Sequence, residues 1–210
     1  MAVVTIDGPA GVGKSTIAAA LAARLEVPHI DTGAYYRAAT LAVLRAGVDP
    51  GDAEGCGKVI SSARIERRDG RAWLSGEDVE AEIRGPAVTA AVSAVAAHPE
   101  VRAALLAAQR SGIGKAGAVV EGRDAGTVVA PGAELKVWLT ASHEARAARR
   151  AGQLGHHEAN AVSGHAADLA RRDALDAKQM APAPDAVVVD TTDRSVAAVV
   201  EEIARLALGR

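Results

Sequence analysis

Phenylalanine is absent from the 210 residues, and only two tryptophans, two tyrosines and one cysteine occur. A lone Cys56 excludes an intramolecular disulfide framework and suits a reducing compartment. With so few aromatics, the core has to be built mainly from Val, Leu, Ile and Ala, and the rings on which single-stranded nucleic acid stacks are scarce. A basic excess is lacking too: the formal charge is -2 and the pI about 6.3, so no broad electropositive field exists for a nucleic acid polymer or an anionic membrane. Any anion must be held locally. No run approaches the ~18 uninterrupted apolar residues of a membrane span. The opening residues Met1 to Asp7 place no basic segment ahead of an apolar one, so a cytoplasmic, unsecreted chain is expected.

What is present is an alternation of short β-branched runs with longer Ala/Leu-rich segments, which predicts βαβ units and a mostly parallel sheet. Val3 to Ile6 reads as the first strand, and Lys14 to Leu25 as a helix with Ile17, Leu21 and Leu25 four residues apart. Further strands are predicted at Ala118 to Glu121, Leu135 to Leu139 and Ala186 to Val189, with an amphipathic helix from about Ser195 onward. Arg64 to Arg68, Asp69-Gly70 and Arg71 to Leu74 read as a hairpin with a type I′ turn. Pro86 and Pro99 each precede a helix-like stretch. One domain is expected over 1–210, with an insertion over 56–110 and a lid over 150–170, centred on the polar interruption Gly152 to Gly164.

Gly8-Pro9-Ala10-Gly11-Val12-Gly13-Lys14-Ser15 matches G-x-x-x-x-G-K-[ST] between a strand and a helix. Glycines let successive N–H groups point inward, and the helix N-terminus adds partial positive charge, so the stretch from Gly8 to Thr16 is read as the ATP-binding loop. Lys14 can reach the β- and γ-phosphates, and the Ser15 hydroxyl can join the shell of a magnesium ion. The motif alone leaves ATPases, GTPases and small-molecule kinases open. A guanine-specifying Asn-Lys-x-Asp is missing, which argues against a GTP-driven switch.

Ligands of parallel sheets lie beyond the carboxyl ends of the strands. Two stretches there offer an Arg beside hydrogen-bonding residues: Asp31-Thr32-Gly33-Ala34-Tyr35-Tyr36-Arg37 and Gly122-Arg123-Asp124-Ala125-Gly126-Thr127. The segments IDGPAGVGKST, DTGAYYRAATL, EGRDAGTVVAP and LTASHEARAARR, joined by VSAVAAHPEVR, LLAAQR and ARRDALD, closely resemble bacterial cytidylate kinases, a branch of the P-loop nucleoside monophosphate kinases.

The resemblance implies a three-layer α/β P-loop kinase core with a central parallel sheet flanked by helices, a monophosphate-binding insertion and a short lid. It implies ATP and CMP or dCMP as substrates, Mg2+ as cofactor, and a monomer. By the same resemblance Arg37 and Arg123 grip the acceptor's phosphate, and Thr32, Ser93, Arg102 and Asp124 surround cytosine. An ionised Asp124 would accept from cytosine's amine and repel uracil's carbonyl. Tyr36, Arg172 and Asp176 would address the ribose and nearby phosphate oxygens.

Taken singly, Arg37 could be a solvated helix residue, Tyr36 core, Thr32 an N-cap and Arg123-Asp124 a surface ion pair. A kinase acting on AMP, UMP, shikimate or gluconate, and a nucleotide-binding ATPase switch, are the competing readings.

Arg146, Arg149 and Arg150 share one helical face before the lid, and Arg171 and Arg172 follow it. Lys14, Arg123, Arg149 and Arg172 are the candidate catalytic cations. His156, His157 and His165 lack ligand spacing for zinc. Where the family commonly has Ser and then Arg after the Asp, this chain has Ala177 and Gln179, leaving Lys178 or a lid arginine to substitute.

Overall fold

A computed structural model describes residues 2–153, 167, 169–171, 173–177 and 179–209. Its contacts divide the chain into two compact units, Met1–Ile30 with Ile113–Arg210, and Asp31–Gly112.

In the first unit the predicted strands form as β1 (Val3–Asp7), β6 (Ala118–Gly122), β7 (Leu135–Thr140) and β8 (Val187–Asp190), joined at the edge by β2 (His29–Asp31). The sheet order is β2-β6-β1-β7-β8, and the β1–β6, β1–β7 and β7–β8 pairs are parallel. Helices cover a parallel sheet on both faces, which explains why β6 is buried along its whole length. The α/β fold class read from the sequence is the one observed.

Helix α1 (Lys14–Leu25) turns Ile17 and Leu21 into a core shared with Val4, Ile6, Leu135 and Leu139. The C-terminal helix α7 (Val196–Leu208) adds Val199 and Ile203 to it. Ser195 starts α7 by accepting from the Ala198 N–H at 3.2 Å. Between them α6 (His143–Gln153) follows β7. Because β1 lies between β6 and β7, the segments leaving these three strands are neighbours at one edge of the sheet, where phosphate ligands bind in such folds.

The second unit holds α2 (Thr32–Arg45), α3 (Ala53–Ser62), an antiparallel sheet of β3 (Ile65–Arg68), β4 (Arg71–Leu74) and β5 (Glu77–Asp78), then α4 (Pro86–Ala96) and α5 (Pro99–Ser111). The Asp69-Gly70 hairpin forms as expected, with φ of 50° and 74° at its two turn residues. Ser75 and Gly76 repeat the device at 51° and 90°, producing the third strand that the sequence reading lacks. Pro86 and Pro99 occupy first-turn positions. Asp31, not Thr32, caps α2, its carboxylate accepting from the Ala34 N–H at 3.0 Å. Among the described residues no helix is long and apolar enough to cross a membrane.

Candidate active site

The loop after β1 needs left-handed backbone at Gly8, Gly11 and Gly13, with φ of 148°, 79° and 96°. At Gly8 a methyl group would also overlap the Leu139 carbonyl of β7, so glycine is required there twice over. Once the chain turns, its carbonyl oxygens meet donors. Gly8 accepts from Lys14 Nζ at 2.8 Å and Arg123 Nη1 at 3.0 Å, and Pro9 accepts from Lys14 Nζ at 2.7 Å. Arg146 Nε donates to the Ala10 carbonyl at 2.6 Å. Val12 accepts from Thr191 Oγ1 at 3.0 Å and Arg149 Nη1 at 3.3 Å. With these oxygens tied down, the anion-binding capacity of the loop resides in its N–H groups and in the start of α1, whose first turn carries no acid.

Two carboxylates hold the cations. Arg123 pairs with Asp176 at 2.9 Å and faces Asp173 at 3.7 Å. Asp173 also pairs with the buried Arg146 and accepts from the Ala10 N–H at 3.1 Å, so it binds the loop after β1 directly. Burial, reinforced by repulsion from Arg123, drops the Lys14 pKa to about 7.

Asp7, at the end of β1, is buried and accepts from the N–H groups of Ala125 and Gly126 at 2.8 and 2.7 Å. Burial outweighs those bonds and, with Asp124 adding like charge, raises its pKa to about 6. A Cβ at Gly126 would stand 2.8 Å from Thr5 Oγ1, so the close approach that brings its N–H to Asp7 depends on glycine. The pair of bonds anchors the turn that directly follows Arg123 and the buried Asp124.

Ser15 Oγ donates to Glu121 Oε2 at 2.9 Å, and His29 Nε2 lies 2.9 Å from Glu121 Oε1. The sequence by itself marks Glu121 only as part of a strand. The available signal was an acid at the carboxyl end of a strand that pairs with the one preceding the phosphate loop.

Arg149 donates to Thr191 Oγ1 at 2.9 Å and to the carbonyls of Thr191 and Thr192. It lines a cavity of about 280 Å³ with Gly13, Thr16, Ile17, Arg194 and Val199. Arg146 and Arg149 thus both face the loop backbone, as their shared helical face predicts. Arg172, Lys178, the three lid histidines and most of the proposed lid lie outside the described residues.

In the second unit, Arg37 Nη1 donates to the Ile83 carbonyl and to Thr89 Oγ1, both at 3.0 Å. The Arg102 guanidinium sits over the Tyr36 ring, 5.6 Å from its centroid. Ser93 is buried on α4, and Thr32 is buried at the start of α2. Tyr36 and Arg102 are therefore brought together, and Arg37 is half-buried and held by hydrogen bonds to Ile83 and Thr89.

Residues 4–208 match the family model for cytidylate kinase. The chain belongs to the cytidylate kinase family. A cytidylate kinase of Mycolicibacterium paratuberculosis is 49% identical, with 96% of this chain and 92% of the relative covered. One from Nocardia farcinica is 47% identical, with 97% and 92% covered. Among solved structures, a gluconokinase from Sinorhizobium meliloti shares the fold, with a TM-score of 0.50 at 18% identity over 99% of this chain and 94% of that one.

The segment with Ala177 and Gln179 lies between two residues that contact Arg123, Asp176 and Met180. The Gln179 N–H donates to the Asp176 carbonyl at 2.9 Å, and Met180 brings its sulfur to 3.6 Å from Arg123 Nη1. This segment therefore packs on the Arg123 guanidinium.

Proposed function

We propose that this cytidylate kinase family member transfers the γ-phosphoryl group of ATP directly to CMP and dCMP, giving CDP or dCDP and ADP. One observation carries the reading: Lys14 and Arg123, from distant parts of the chain, converge on the Gly8 carbonyl at the mouth of the phosphate loop. Asp176 and Asp173 balance part of this charge, and a donor tail beside an acceptor monoester would bring the further anions that two cations at one point attract.

The residues from Gly8 to Thr16 hold the donor's polyphosphate, with Lys14 spanning its β- and γ-groups. Arg37 and Arg123 take oxygens of the acceptor's phosphate, as the planar guanidinium fork suits. Asp124 accepts from cytosine's exocyclic amine, assisted by Thr32, Ser93 and Arg102. Tyr36, Arg172 and Asp176 serve the ribose and nearby oxygens. Holding an acceptor oxygen in line with the γ-phosphorus lets the new P–O bond form as the bond to the β-γ bridging oxygen breaks. Arg149 and Arg172 contribute positive charge to the donor and transfer region. Residues 56–110 act as the monophosphate-binding insertion and 150–170 as the lid that excludes water.

A magnesium ion fits the oxygen-only chemistry of Ser15 and Glu121, whose side chains already share a hydrogen bond, since Mg2+ takes few protein ligands beside phosphate oxygens and water. Ser15 would hold it through its hydroxyl, and when bound it neutralises charge on the β- and γ-phosphates. The enzyme is proposed to work as a cytoplasmic monomer.

ADP release measured against CMP, dCMP, UMP, AMP, GMP, shikimate and gluconate tests the reading. CMP and dCMP should give by far the highest kcat/KM. Equal turnover of AMP or gluconate, or ADP release independent of acceptor, would overturn it.

A further inference from the structure

Glu121 is buried, and its two carboxylate oxygens face different partners. Oε2 accepts from Ser15 Oγ, and Oε1 lies 2.9 Å from His29 Nε2. His29 opens β2, the strand next to β6, and its side chain is 24% exposed, so the imidazole reaches inward from the rim of the sheet. An ionised carboxylate only accepts, so the contact requires the proton on Nε2. The terminal torsion of a glutamate has a broad, roughly two-fold profile, and a donor on one oxygen selects where the other points. Here the other oxygen points at the serine hydroxyl of the phosphate loop.

We propose that His29 is a positioning residue for the magnesium-nucleotide site: by holding Glu121 Oε1 it orients Oε2, and with it the Ser15 hydroxyl, toward the metal-bearing polyphosphate. This rests on the reading above, in which Ser15 supports MgATP. Histidine–carboxylate partners set the orientation of metal-site groups in the same way elsewhere, and their loss typically lowers metal affinity by about 10- to 100-fold. His29 touches neither nucleotide nor phosphate in this scheme. It acts through Glu121.

The test is calorimetric titration of ADP at a series of free Mg2+ concentrations, with wild type, His29→Leu, His29→Asn and His29→Gln. In wild type, Mg2+ tightens ADP binding. In His29→Leu the free Mg2+ that gives half of this gain should rise about tenfold, while ADP affinity without Mg2+ stays unchanged because the loop's N–H groups are untouched. His29→Gln, whose amide nitrogen can stand where Nε2 stood, should restore most of the response. His29→Asn, whose amide falls short of Glu121, should not, and it carries the test if the leucine variant fails to fold.

An unmoved Mg2+ midpoint in a folded Leu or Asn variant overturns the proposal. So does a loss of Mg2+-free ADP affinity matching the shift, or a glutamine variant no better than asparagine. A wild type whose ADP binding ignores Mg2+ refutes the parent reading of Ser15 instead, before any variant is compared.

Discussion

Lys14 and Arg123 donate to the same acceptor, the carbonyl oxygen of Gly8, at 2.8 and 3.0 Å. Burial, with repulsion from Arg123 added to it, lowers the Lys14 pKa to about 7. Arg123 also pairs, through Nη2, with Asp176 at 2.9 Å.

Proton uptake on nucleotide binding follows. With a pKa of about 7 in the protein, Lys14 is largely neutral at pH 8, and an adjacent polyphosphate favours its charged form. Calorimetry of ATP binding at pH 8 in buffers of different ionisation enthalpy should show net uptake, lost in Lys14→Met. The same variant should abolish phosphoryl transfer without unfolding the protein. Near-normal turnover in it would remove the assigned role.

Asp7 gives stability a pH dependence of definite sign. Its folded pKa of about 6 lies above the ordinary 3.8, so the folded state binds more protons than the unfolded one between those values. This group's contribution therefore falls as pH rises from about 4 to about 6 and is constant above, a change on the order of 3 kcal/mol. Urea unfolding across that range should show the slope in wild type and a flatter profile in Asp7→Asn. An identical slope in both would assign it to other groups.

The Asp173 carboxylate is the partner of the buried Arg146. Asp173→Asn should destabilise the protein by about 3 kcal/mol, because the arginine remains buried without its counter-charge. Unfolding free energies would measure this directly, and a change below about 1 kcal/mol would mean that solvent already screens the pair.

Asp124→Asn should narrow the preference for CMP over UMP, since an amide can donate to uracil's carbonyl where a carboxylate repels it. The informative quantity is the ratio of the two kcat/KM values. An unchanged ratio places Asp124 outside the base pocket.

Arg37→Ala should cost about 2–4 kcal/mol of transition-state stabilisation with every monophosphate, as for a lost charge-assisted anchor. Arg37 also donates to Ile83 and Thr89, so the thermal midpoint must be followed alongside. Equal activity toward cytidine and CMP in wild type would remove the anchor altogether.

Much of the fold is legible locally. The Asp69-Gly70 turn, the proline-started helices and the spacing of Ile17 and Leu21 depend on dihedral limits and periodicities that a few neighbouring residues express. The strand at Glu77–Asp78 escapes that kind of reading because two residues show no alternation, although Ser75-Gly76 marks the turn before it. The loop from Gly8 to Ser15 was legible for the same local reason, since its glycines answer to backbone geometry and its lysine and serine to the adjoining helix.

By itself, then, the amino-acid order determined the strand–loop–helix cradle, the α/β class and the residue types able to bind phosphate. Tertiary structure alone decided which of them meet: Ser15 with Glu121 across 106 residues, Ala10 with Asp173 across 163, and Lys14 with Arg123 on a single carbonyl. The physical reason is the strand order, which brings the ends of β6 and β7 to either side of β1. Local propensity does not encode that order, and the burial that moves the Asp7 and Lys14 pKa values exists only once the chain has closed around them.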